Sequence, residues 1–224
     1  MTLQALIDKR DTFEIVRDQI AAILTLEVAN QMALASAAGE NPELWNVAVY
    51  SERSNPWEMP LNDITTPKKW VNVWFDATNF DPSASDPVKR QKSQTVYNVD
   101  CYGVGVSSDD PAGGHNPGDR EASFVMQRCV RLVRNILMAS ENTYLQLPRG
   151  KVWGRWINSI TSFQPQMDSN TVQQLVASRI SFRVEFNEFS PQFEGEPLEL
   201  LTAQVKRAED GQVIIETDFE YTAP

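Results

Sequence analysis

Apolar and polar residues alternate most regularly between Val176 and Phe186. Val176, Ile180, Phe182, Val184 and Phe186 share one parity, while Ala177, Arg179, Ser181, Arg183, Glu185 and Asn187 share the other. Side chains along a strand point to opposite faces in turn. The pattern therefore predicts a long strand with one buried and one wet face. Val152–Phe163, carrying Trp153 and Trp156 at opposite parity, is its predicted antiparallel partner. Within Trp70–Ala77, Val71, Val73, Phe75 and Ala77 form one face and Trp70 and Trp74 lie on the other, as in a central strand covered on both sides. Leu44–Tyr50 and Thr95–Val106 are further predicted strands. In the latter, Gly103 and Gly105 predict a bulge or a close backbone approach.

Two stretches change period. Asp11 and Glu14 make a capping-box pair. After it, Phe13, Val16, Ile20, Ile23, Leu24 and Leu34 recur at near-helical spacing, and Ala38-Gly39 supplies a stop. Thr12–Ala38 is predicted as one helix, roughly 40 Å long at 1.5 Å per residue. Val125, Cys129, Leu132, Ile136 and Leu137 predict a second helix, from an Asp119 N-cap to about Ser140, with Arg128, Arg131 and Arg134 between its apolar positions. Asp81–Pro87 and the Gly/Pro-rich Ser107–Asp119 are predicted loops, and Leu145–Leu147 an extended segment. Beyond Pro191 and Pro197, two strand-like runs within Leu198–Tyr221 flank Glu209-Asp210-Gly211, a hairpin signal.

These elements predict an α/β protein of the α+β type. Its mixed, mainly antiparallel β-sheet is flanked by a long N-terminal helix and a central helix, with a C-terminal β-hairpin extension. Residues 1–190 are expected to form the core and 191–224 an acidic extension.

With 224 residues and 42% hydrophobic content, the chain can bury a core that needs no staples. Cys101 and Cys129 alone cannot make a disulfide scaffold and predict reduced, half-buried thiols. The opening MTLQALIDKRDTF lacks the basic stretch and apolar run of a secretion signal. No stretch approaches the ~20 apolar residues of a membrane span. A soluble chain made in a reducing compartment is expected, with no membrane partner.

The net charge of −10 argues against a general nucleic-acid binder. The charge is uneven, however. Residues 120–155 hold seven Lys or Arg against Glu121 and Glu141; residues 191–224 hold eight acids against Lys206 and Arg207. Such asymmetry is either ordinary solvated charge or a head-to-tail attraction between copies. The second reading makes Arg128, Arg131, Arg134, Lys206, Arg207, Glu209 and Asp210 candidate subunit-interface residues, since arginine forks pair with carboxylates.

Catalytic chemistry has no comparable signal. His115 is the only histidine and sits in a predicted loop, which excludes two-histidine metal sites and disfavours a rigid triad. Asp109, Asp110 and Asp119 lack calcium-loop spacing, and Gly103-x-Gly105 is not followed by the rest of a dinucleotide fingerprint. Glu185 and Glu188 fall on alternate strand faces, so a carboxylate pair for glycoside hydrolysis has no positive support. No catalytic residue, cofactor or metal is predicted.

The order of a long helix, strands, a polar loop after YNVDCYGVG, an arginine-bearing helix and two long strands ending in RISFRVEFNE resembles the tail terminator (tail completion) proteins of tailed bacteriophages. The likeness covers roughly Leu3–Ser190 and rests on element order and strand texture. It implies a structural virion protein, not an enzyme. Such a protein assembles in the host cytoplasm as a homo-oligomeric, usually hexameric, ring that caps the tail tube and joins it to the neck. Its implied partners are the tail tube protein and sheath and neck or connector proteins, with genomic DNA passing through but not gripped. Glu185 and Glu188 would then face the lumen. Other roles open at this stage are a head–tail adaptor, a sheath- or baseplate-associated structural protein, and a carboxylate-based hydrolase.

Overall fold

The computed structural model describes residues 10–56, 68–86, 90–109, 114–148, 150–165, 173–189, 200–206 and 213–220. The chain divides into two compact units, Ile7–Ser190 and one that holds the C-terminal hairpin. In the first, the helices are α1 (Thr12–Ala37) and α2 (Gly118–Met138). The strands are β1 (Ala48–Ser51), β2 (Lys69–Asp86), β3 (Arg90–Val106), the two-residue β4 (Ser108–Asp109) and β5 (His115–Asn116), β6 (Val152–Phe163) and β7 (Gln173–Phe189). Five of them form one sheet in the order β1-β2-β3-β7-β6. Only β1–β2 is parallel. This is the expected mixed, mainly antiparallel sheet with an N-terminal and a central helix. In the second unit, β8 (Leu200–Lys206) and β9 (Val213–Glu220) pair antiparallel. The turn predicted at Glu209-Asp210-Gly211 lies outside the described residues.

Both helices cover one face of the sheet. Val16, Ile20, Ile23, Leu24 and Val28 of α1 and Cys129, Leu132, Val133, Ile136 and Leu137 of α2 pack on Val71, Val73, Tyr97, Val99, Ile180, Phe182, Val184 and Phe186. Burying each aliphatic or aromatic side chain contributes about 1.5–3 kcal/mol, so this layer dominates stability. The start of α1 is fixed by its capping box: the Asp11 N–H donates to Glu14 Oε2 at 3.0 Å. Gly39, at φ 75°, follows its end. The Tyr97 hydroxyl donates to the Phe13 carbonyl at 2.8 Å and ties α1 to the sheet.

Gly103 and Gly105 are where α2 comes closest to β3. A Cβ on Gly103 would lie 2.5 Å from the Ala122 carbonyl oxygen, and one on Gly105 would collide with the Gly118 carbonyl oxygen. The close-approach alternative of the sequence reading is the one realised.

Several expectations need correction. Leu34 lies 62% exposed, and Val28 and Ala35 take the inward positions instead. The Asp81–Pro87 loop is strand as far as Asp86, because β2 bulges between Phe75 and Ala77 and then continues alongside β3. The Leu44–Tyr50 strand begins only at Ala48, after a 3-10 turn at Pro42–Leu44. Pro117, not Asp119, occupies the N-cap of α2, and the helix ends at Met138. Leu145 and Gln146 form a left-handed turn, at φ 51° and 53°, rather than an extended segment. Cys101 and Cys129 are fully buried rather than half-buried. Finally, α1 is long and apolar enough to cross a membrane by length and composition. Its inward residues nevertheless belong to the core just described.

Strand β7 also departs from the one-sided picture. Ile180, Phe182, Val184 and Phe186 are fully buried, as predicted, but so is Ala177 of the opposite parity. With Leu175, Trp70, Tyr102 and Val104 it forms a smaller cluster on the face away from the helices. Arg179, Arg183 and Glu185 on that face are half-buried rather than wet.

Candidate assembly surfaces

The outer face of α2 follows from helical spacing. Residues 120, 124, 128, 131, 134 and 138 recur every three or four positions, opposite the buried Ala122, Met126, Cys129, Leu132, Val133 and Ile136. That face carries Arg120, Phe124, Arg128, Arg131, Arg134 and Met138, with Phe124 60% exposed. The Arg120 guanidinium sits 5.7 Å from the Phe124 ring centroid. Arg128, Arg131 and Arg134 have no ion-pair partner among the described residues.

Arg128 and Arg131 line a cleft of about 560 Å³ between α1, the 3-10 turn and α2; Arg134 does not. Leu26 and Leu44 supply its apolar side, and Glu27, Glu40 and Glu141 add carboxylates. The Trp45 indole N–H, at the same cleft, is buried without an acceptor among the described residues. Nearby, Lys69 is buried with its Nζ donating to the Glu43 carbonyl at 2.9 Å, and desolvation holds its pKa below the ordinary value.

The rest of the basic middle segment is not uniform. Arg155 donates to the carbonyls of Asn142 at 2.5 Å and Ala139 at 2.6 Å, satisfying acceptors just beyond the end of α2. Its charge is engaged within the subunit, whereas Arg128, Arg131 and Arg134 have no ion-pair partner among the described residues.

Sequence reasoning missed the polar centre of the other sheet face. The Asp100 carboxylate accepts from Arg179 Nε at 2.8 Å, from Arg179 Nη2 at 3.0 Å and from Trp74 Nε1 at 3.0 Å. The hydrogen bonds to Asp100 raise the Arg179 pKa further. The guanidinium also lies 4.7 Å from the Trp74 ring centroid and 5.2 Å from that of Phe163. Asp100 and Arg179 are direct cross-strand partners on β3 and β7. A charge at the middle of each apolar strand was the available signal, because such residues are buried only when paired. Both oxygens of this carboxylate accept hydrogen bonds. Among the described residues, no group of three or more His, Cys, Asp or Glu is placed to hold a metal ion.

The remaining candidates are scattered. Lys206 closes β8 opposite Val213; Arg207, Glu209 and Asp210 lie outside the described residues. Glu185 and Glu188 occupy opposite faces of β7. Glu185 accepts from Gln94 Nε2 at 2.7 Å and pairs with Lys92 at 3.6 Å, on the face away from the helices. Glu188 lies on the helix side. It accepts from the Thr12 backbone N–H at 3.1 Å and from the Thr12 hydroxyl at 3.1 Å, so it anchors the first turn of α1. Burial holds the Glu188 pKa above its ordinary value, against the Thr12 hydrogen bonds and with help from Asp11.

Neither a family model nor a curated protein matches the chain. Among solved structures, it is similar to a chain in the virion of a native gene transfer agent (GTA) particle, at 15% identity, over 73% of this chain and 92% of that one, with a TM-score of 0.36.

Proposed function

We propose that this protein is a structural component of a phage-type virion, a tail terminator that closes into a homo-oligomeric ring on the end of the tail tube. The observation that carries the reading is the uncovered face of α2. Arg128, Arg131 and Arg134 stand without ionic partners among the described residues, while the 34 residues from Pro191 hold eight acids against two bases. A surface and a charge complement that do not meet on one element suit a head-to-tail contact between copies. The order of elements on which the family resemblance rests supports the same role.

In the ring, the tube lies on one side and neck or connector proteins on the other, with sheath as a further neighbour. Glu185 is the candidate for the lumen wall. Fixed carboxylates there leave DNA phosphates ungripped, whereas cations would bind them and release counterions. Glu188 serves α1 instead.

Light scattering and negative-stain imaging of the purified chain test the reading. A closed ring near six times the 25.3 kDa chain mass is expected, alone or on tail tubes. A chain that stays monomeric and ignores tubes would overturn it.

A further inference from the structure

Strand β6 is a sheet edge, and past its second bulge it is protected by neither charge nor proline. It lies last in the order β1-β2-β3-β7-β6, so one side of its backbone has no strand beside it among the described residues. Exposed edges are normally blunted with charge, proline or bulges, because their free N–H and C=O groups template pairing. From Trp156 to Phe163 there is neither a charged residue nor a proline. The bulges fall between Val152 and Gly154 and between Ile157 and Ser159; Ser159–Phe163 then runs in regular register along Ser181–Ala177. Ile160 in that run is 45% exposed, and Trp153 near its start is 57% exposed.

The same chain carries a second sheet of only two strands. β8 and β9 form a two-stranded sheet of their own, and an isolated hairpin is marginal in water. Its register sets Leu201 opposite Phe219, Ala203 opposite Thr217 and Val205 opposite Ile215, so most of its apolar residues share one parity, Leu200 and Ile214 excepted. The alternate residues Glu216, Asp218 and Glu220 are acidic, and β6 is entered from the basic 120–155 segment. Residues 190–199, which join β7 to β8, allow a reach of up to ~35 Å.

We infer that the β8–β9 hairpin of one copy adds as strands to the free edge of β6 in the next copy. Each subunit then donates one hairpin and accepts another, a heterologous contact of the kind that closes rings. The inference rests on the proposed ring and names the contact that makes it.

Two full-length variants test it. Ile160→Lys places a charge on the acceptor edge; Thr217→Pro removes a ladder donor from the hairpin. Ser162→Lys and Ala203→Pro replace them should either lose the cooperative melt of the core. Each variant alone is expected to lose the ring and run as a monomer. An equal mixture is expected to give a heterodimer of twice the 25.3 kDa chain mass and nothing larger, since one intact hairpin meets one intact edge. A ring that survives either change sinks the inference and leaves the ring reading standing. Variants that fold, lose the ring and still fail to complement each other also sink it. A wild-type chain that never assembles removes both.

Discussion

Ile160 on β6 and Ile180 on β7 are direct cross-strand partners, yet Ile180 is fully buried and Ile160 is 45% exposed. Residue type and strand conformation are the same; the difference is the layer above. α2 packs over β3 and β7, and α1 over β1 and β2, so the sheet has a covered centre and a bare margin at β6. A strand pattern announces that a face can be buried. Whether it is buried in the isolated subunit depends on where the helices end.

The isoleucine pair gives the sharpest test of that contrast. Ile180→Ala should cost about 2–5 kcal/mol, the transfer term plus a cavity. Ile160→Ala should stay within ~0.5 kcal/mol, as exposed substitutions do. Denaturant unfolding of the monomer measures both, and equal losses would mean that the margin is covered after all. Two glycines repeat the comparison at smaller amplitude. Gly103→Ala drives a Cβ into the backbone of α2 and should cost roughly 1–3 kcal/mol. Gly154→Ala on β6 meets only side chains that can move, the Trp156 ring at 3.3 Å and Glu185 Oε2 at 4.0 Å. It should cost clearly less, with a normal melt; a larger loss at Gly154 would reverse the picture of centre and edge.

The covered centre was largely legible in the sequence, and the margin was not. The parity of Ile180, Phe182, Val184 and Phe186 marked the core face, and the Asp11/Glu14 pair marked the start of α1, because both signals are local. Leu34 misled because α1 is apolar on more than one side. Helical spacing alone cannot choose between Leu34 and Val28 when the sheet's position is unknown. The Asp81–Asp86 extension of β2 was hidden by its composition, since Pro82, two aspartates and two serines read as loop until β3 pairs beside them. Of the candidate surface, the sequence marked the arginines of α2 correctly as exposed. It could not tell that Arg155 is consumed by carbonyls, that Asp100 holds Arg179, or that Glu188 serves Thr12. Those partners are 13 to 176 positions apart in the chain.

The two carboxylates of the sheet's other face carry the comparison to side-chain charge. Asp100 is 4% exposed, and Asp100→Ala would strand both the Arg179 fork and the Trp74 N–H; a loss of about 2–4 kcal/mol is expected. Glu185, 18% exposed, bonds to Gln94 and Lys92, and Glu185→Ala should cost under ~1 kcal/mol. Thermal melts at neutral pH measure both. A Glu185 effect as large as that of Asp100 would place an unrecognised burden on the β7 end of the sheet.

The smallest expected effect is a pH dependence at Glu188, where the helix layer meets the same strand. Burial raises its pKa above the ordinary 4.5, so ionisation is harder in the folded chain than in the unfolded one. The folded state then binds more protons than the unfolded state just above pH 4.5, and the stability this group contributes falls as the pH rises. That contribution is complete below the ordinary value and is lost through the folded one. Glu188→Gln keeps the shape and an acceptor for Thr12 but cannot ionise. The stability difference, wild type minus Glu188→Gln, should therefore be greatest in acid, decline as the pH passes upward from 4.5, and level off once the carboxyl is ionised in both states. A difference that grows with pH would mean that the Thr12 donors outweigh desolvation. Glu188 would then act as an ionic cap for α1 rather than as a half-buried acid held beside it.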